Sequence, residues 1–350
     1  MNVITLIILL FLCINICYGK KKSGSGKHHR EFKFISAKEN IYTNYTNDVV
    51  FNNVAGELNN KVKVFCIFLT TPKNKQSRIR HQKNTWVKRC NAYIYASGSD
   101  DEDIPAIKAF RDDHYRYSYA KIDHAFRYVY KHYIDKYDWF LKIDCDTYVV
   151  MENLRMLLLK KDPNEHYYSG FHHNLNVNKP PFKLKNLRYA QGGGYVMSKK
   201  TLSLLVTKGL GNKKYCRIED DGFEDVEIGI CLYNLNVKLD VGRDKYDRIA
   251  YLNIGLDKAL SPYNNYLKNY YSSIKSKFRF IDGIGAMSEY PISFHRVYGE
   301  TMYILEYLIY HMHVAGLRNP MFIPSNENVT ETTQSIMEII SSYSSSYYKN

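Results

Sequence analysis

Residues 61–69 (KVKVFCIFL) alternate and then become continuously apolar, and they stop abruptly at Thr70, Thr71 and Pro72. A run this short and this apolar reads as a buried strand, and the polar residues and proline after it mark a loop. Residues 76–89 (QSRIRHQKNTWVKR) then read as a helix, and residues 92–96 as the next strand. Strand, helix, strand is the opening of a parallel α/β sheet flanked by helices. The pattern continues with Ile122, Ala125, Phe126, Val129 and Tyr130 at helical spacing over residues 119–134. A very apolar strand over 139–143 follows, broken by Asp144-Cys145-Asp146 and resumed over 148–150. Further helices are expected over 152–160, from Lys199 onward with Ser198 as cap, and over 224–235 and 300–314. Residues 20–60 read as a solvated stem, residues 61–318 as one catalytic-sized domain, and the Ser-, Glu- and Thr-rich residues 319–350 as a disordered tail. No internal repeat is visible.

Hydrophobic residues at 45% and charged residues at 24% exclude a collagenous, coiled-coil or wholly disordered chain of 350 residues. The net charge of +14 includes a lysine cluster in the stem, which reads as a flank or linker, so no nucleic-acid partner is expected. Residues 3–18 (VITLIILLFLCINICY) are almost uninterruptedly apolar. About 16 residues at ~1.5 Å each span ~24 Å, short against a hydrocarbon core of ~30 Å, so residues 1–19 fit a cleaved signal or an uncleaved amino-terminal membrane anchor. Either sends the rest of the chain into the secretory lumen, as a Golgi membrane protein with a lumenal domain or as a secreted one. The sequons at Asn44 and Asn328 agree with that route. Outside the apolar segment stand five cysteines, Cys66, Cys90, Cys145, Cys216 and Cys231; two bridges and one free thiol is the simplest arrangement, with connectivity not readable from spacing.

Asp144 and Asp146 carry the strongest chemical signal. At the end of a parallel strand, where α/β sheets bind ligands, two carboxylates one residue apart can converge on a hard cation such as Mn²⁺ or Mg²⁺. Such an ion can neutralise the diphosphate leaving group of a nucleotide sugar. Residues 222–229 (GFEDVEIG) place three acids around a helix start; they either complement the helix dipole or provide one carboxylate as general base. His295, in the short strand at 293–297 (SFHRV), is either structural or completes the metal site if folding brings it to Asp146.

Residues 139–150 (WFLKIDCDTYVV), 192–198 (GGGYVMS), 224–232 (EDVEIGICL) and 293–317 (SFHRVYGETMYILEYLIYHMHVAGL) occur in the order seen in family 31 glycosyltransferases. The last of these, and residues 64–91 with Cys66, Trp86 and Cys90, resemble the core 1 β1,3-galactosyltransferase branch. The resemblance implies a GT-A fold and inverting transfer of galactose from UDP-galactose to the 3-hydroxyl of GalNAc linked to Ser or Thr of glycoproteins. It implies Mn²⁺ at Asp144, Asp146 and His295, with Asp225 as catalytic base. It also implies donor contacts at Thr70, Thr71, Pro72, Asp144 and a glycine turn comprising Gly193, Gly194 and Tyr195. Bridges Cys66–Cys90 and Cys216–Cys231 follow from it, leaving Cys145 free, and it allows a homodimer. Two other outcomes share the pattern: a Fringe-like transferase using UDP-GlcNAc, and an inactive chaperone-like paralogue, which typically lacks the paired acids kept here. Three departures stand out: Cys145 replaces the middle acid of the usual triplet, no adjacent cysteine pair occurs near residues 283–287, and a Trp-rich stretch is replaced by residues 263–271 (YNNYLKNYY). The last two fall where the branch builds its acceptor side.

Overall fold

The structure, a computed structural model, describes residues 49–101, 103–273, 283–312 and 328–348, all within one compact unit. Residues 1–19, most of the stem and the Asn44 sequon lie outside the described residues, among which no helix is long and apolar enough to cross a membrane. The strands are β1 (Val64–Leu69), β2 (Ala92–Ser97), β3 (Ala106–Lys108), β4 (Trp139–Asp144), β5 (Thr147–Val149), β6 (Tyr168–Lys179), β7 (Phe182–Ser198), β8 (Tyr251–Leu252) and β9 (Ser293–His295). Six of them form one sheet in the order β3-β2-β1-β4-β7-β6, while β5, β9 and β8 form a small second sheet. The pairs from β3 through β4 are parallel, and β7 and β6 add an antiparallel edge.

Period-two alternation sends successive side chains to opposite faces. Val64, Cys66, Phe68, Trp139, Leu141 and Ile143 enter one core, while Phe65, Ile67 and Phe140 enter another beneath the Ser118–Tyr133 and Glu224–Asn234 helices. The β1–β4 register sets Leu69 beside Asp144, so the loop after β1 and the acidic turn after β4 open at the same edge.

Four expectations need correction. The helix over 76–89 is instead a π-helical turn (Lys75–Ile79), a short α-helix (Arg80–Asn84) and a 3-10 turn (Trp86–Arg89). Thr85 interrupts it, its hydroxyl donating back to the carbonyls of His81 and Gln82 at 2.9 and 3.2 Å. The glycines at 192–194 make no turn; they lie inside β7, where side chains would collide with neighbours. The stem ends in a helix, Val49–Lys61, that buries Val54, Ala55 and Leu58. Within the expected disordered tail, Val329–Ser346 is helical and buries Ile336, Met337 and Ile340 against the Val49–Lys61 and Met151–Leu158 helices. These three positions recur on one helical face, and that face overrides the polar composition around it.

Candidate active site

Asp144 ends β4, and the turn to β5 brings Asp146 back beside it. The turn is held from behind: Gln82 Nε2 donates to the carbonyls of Asp144 and Thr147 at 3.1 and 3.0 Å, and Trp86 Nε1 donates to Thr147 at 3.0 Å. Because β5 pairs with β9, Thr147 lies opposite His295, which delivers the imidazole to the acids from 150 residues downstream. His295 Nε2 stands 3.3 Å from Asp146 Oδ1 and 3.7 Å from Asp144 Oδ2, and one ligand atom from each residue fits within 4.8 Å of the others. His295 Nδ1 faces the Asn253 carbonyl at 3.2 Å, the outer-shell contact that fixes a metal-binding histidine and leaves Nε2 for the cation. A Cβ on Gly193 would sit 2.8 Å from His295 Cγ, so only glycine lets the ring in. Burial works against an anionic Asp146, yet His295 and Arg78 together hold its carboxyl below the ordinary range; Arg78 Nη1 is 3.2 Å from Oδ2. The donor set therefore fits a hard divalent cation.

Behind Asp144 lies a second charged cluster. Lys142 and Asp144 are two residues apart on one strand and share a face, and Lys142 is fully buried. Its ammonium donates to Asp144 Oδ1 at 2.7 Å, to the Gly192 carbonyl at 2.8 Å and to Glu224 Oε1. Burial disfavours that charge, but Asp144 and Glu224 more than compensate and raise the lysine above its ordinary value. Glu224 also accepts from the Tyr195 hydroxyl at 2.9 Å; burial first, then the charges of Asp225 and Asp144, push its carboxyl up to about 8 against the pull of Lys142. Asp225 is partly buried and accepts from Gly192 N at 3.0 Å and Val226 N at 2.8 Å. Burial raises it above the ordinary aspartate range although Lys142 and both N–H donors favour its anion.

Residues 59–244, a stretch containing Asp144, Asp146, Lys142, Glu224 and Asp225, match the Fringe-like family. A Xenopus laevis protein, glycoprotein-N-acetylgalactosamine 3-beta-galactosyltransferase 1, is 32% identical over 278 residues, 79% of this chain and 74% of that protein. The chain belongs to glycosyltransferase family 31, in its core 1 galactosyltransferase branch. Its six-stranded sheet flanked by helices is the α/β architecture expected of that family. A crystal structure of a glycosyltransferase involved in glycosylation of the PBCV-1 major capsid is 18% identical, covering 42% of this chain and 68% of that one with a TM-score of 0.26.

In this family 31 enzyme a cleft of about 350 Å³ is lined by Thr70, Thr71, Asn74, Arg78, Tyr115, Asp144, Asp146 and His295. Pro72 is exposed outside that lining, its carbonyl accepting from Lys75 N at 3.1 Å. Gly193, Gly194 and Tyr195, expected at the donor, are buried and lie outside that lining: Gly193 O accepts from Thr147 Oγ1 at 2.6 Å, Gly194 abuts Ile143 and Tyr195 holds Glu224. Both bridges implied by the family form, Cys66–Cys90 and Cys216–Cys231. Cys145 is free and buried; burial and the adjacent Asp146 charge push its thiol up to about 11, so it stays neutral. A larger cleft of about 890 Å³, lined by residues such as Lys61, Leu159 and Met337, contains no acid cluster. Sequence reasoning missed Lys142, Arg78, Asn253 and Tyr115. Only Lys142 left a signal, a cation inside a strand otherwise too apolar to hold one. Asn328 is exposed and caps its helix, accepting from Thr330 N at 3.1 Å.

Proposed function

We propose that this chain is an inverting, Mn²⁺-dependent transferase that moves galactose from UDP-galactose to the 3-hydroxyl of GalNAc O-linked to Ser or Thr of glycoproteins. Its work place is the Golgi lumen, with residues 1–19 as anchor. The observation that carries the reading is the separation of two functions in one edge of the sheet. Asp144, Asp146 and His295 converge on the cleft under Thr70 and Thr71, while Asp225 is held apart on the Gly192 amide. A divalent cation at the first group would neutralise charge developing on the departing diphosphate. An oxygen-rich set with one imidazole suits Mn²⁺ better than Mg²⁺, which takes oxygen and water.

Asp225 has the remaining task. Direct displacement with inversion needs one base to take the acceptor proton as the new bond forms, and a carboxylate of raised pKa is the stronger base. Glu224 is buried and tied to the Lys142 ammonium and the Tyr195 hydroxyl, and Asp144 faces the metal group, so neither is placed to take that proton. The identity of both sugars is supported by the name of the Xenopus relative, and two disulfides with an exposed Asn328 sequon support a lumenal domain. The test is to incubate the protein with a GalNAc-O-Thr peptide and UDP-galactose, UDP-GlcNAc or UDP-glucose, in Mn²⁺ or in excess EDTA. Transfer from UDP-galactose, lost in EDTA, is expected. Preferred use of UDP-GlcNAc would point to a Fringe-like activity, and no transfer at all to a binding paralogue.

A further inference from the structure

Phe223 occupies the N-cap of the Glu224–Asn234 helix and makes no side-chain cap. Ser, Thr, Asp or Asn there would accept from the first N–H groups of the helix and stabilise it, so an aromatic residue at this position sacrifices capping. It does not recover the loss by packing, since 54% of its surface is exposed. Capping is supplied from elsewhere: Ser118 Oγ accepts from Glu224 N at 3.2 Å and donates to the Gly222 carbonyl at 3.1 Å. Tyr115, 67% exposed, stacks obliquely on Phe223 with ring centroids 5.4 Å apart. The two loops that present these rings are tied by backbone bonds, Gly222 N to Arg116 O at 2.6 Å and Tyr119 N to Gly222 O at 3.2 Å. The backbones that carry the two rings are therefore tied to each other before any ligand arrives.

Its position gives it a purpose. Tyr115 lines the cleft that holds Asp144 and Asp146, and Phe223 stands two residues before Asp225. We infer that Tyr115 and Phe223 form an aromatic platform for the pyranose ring of the acceptor GalNAc, a reading that rests on the proposed function. A galacto-configured ring, with its 4-hydroxyl axial, exposes a patch of C–H groups on one face, and such a patch packs on aromatic rings that offer large area at low entropic cost. The donor diphosphate belongs at the Asp144 end of the cleft, whereas the acceptor hydroxyl must meet Asp225. Phe223 begins the helix that carries Asp225 and Tyr115 reaches from it to the cleft, so the pair bridges the two ends with Phe223 on the acceptor side.

The test compares KM for a GalNAc-O-Thr peptide with KM for UDP-galactose. Phe223→Ser installs a preferred N-cap and should melt no lower than the parent protein. Its acceptor KM should nevertheless rise about tenfold while donor KM moves less than twofold, Tyr115→Ala should behave alike, and Phe223→Trp should retain parental acceptor KM. An unchanged acceptor KM in Phe223→Ser, in a protein whose parent transfers normally, overturns the platform alone. A rise in donor KM instead assigns the rings to the donor and also overturns it. A parent that transfers to no GalNAc peptide removes the proposed function and the platform together.

Discussion

A lysine inside an apolar strand is tolerated only where its charge is met, and Lys142 meets Asp144, Glu224 and the Gly192 carbonyl at once. Removing one partner of a buried ion cluster leaves the others uncompensated, at about 3–5 kcal/mol. Lys142→Met should therefore lower thermal stability by that order in melting experiments, and by less at acid pH, where Glu224 carries no charge to strand. A deficit that does not shrink as pH falls would show that the cluster is not held by charge. The paired acids were legible because carboxylates at the end of an apolar strand have few structural reasons to be there. The role of Lys142 was not, because Glu224 lies 82 residues away and nothing local announces it. The glycines misled for the same reason: Gly193 makes room for the His295 ring, which only the β5–β9 pairing brings near, while Gly192 faces Glu224 and Gly194 abuts Ile143.

At the scale of elements, β1, β2 and β4 could be read directly, since strands buried on both faces leave near-continuous apolar runs. The carboxyl-terminal helix could not, because its serines and threonines hid a face built from Ile336, Met337 and Ile340. Each such side chain contributes roughly 1.5–3 kcal/mol when fully buried. Deleting residues 329–350 should therefore destabilise the folded unit by several kcal/mol, visible as a lower urea midpoint. A truncated protein with an unchanged midpoint would mean that this helix contributes nothing to the fold. The break in the helix between Lys75 and Arg89 was not legible, since the Thr85 hydroxyl turns back on it and Gln82 and Trp86 on either side bond to the distant acidic turn.

Across the whole molecule, the parallel half of the sheet provides the edge at which Thr70, Asp144 and Asp146 meet, the small second sheet lends His295, and the Glu224–Asn234 helix carries Asp225. Donor binding and proton removal thus rest on different elements. Because burial raises the Asp225 carboxyl, its basic form is lost as pH falls through that raised value, so kcat/KM should decline on the acid side above the ~3.9 of an ordinary aspartate. The measurement that tests this division most directly is UDP binding by calorimetry in Mn²⁺, beside turnover, for Asp225→Asn and Asp146→Asn. The expected result is that Asp225→Asn binds UDP normally while kcat falls about 10²- to 10⁴-fold, and that Asp146→Asn loses both. Loss of UDP binding in Asp225→Asn, or near-normal turnover in either variant, would contradict the account.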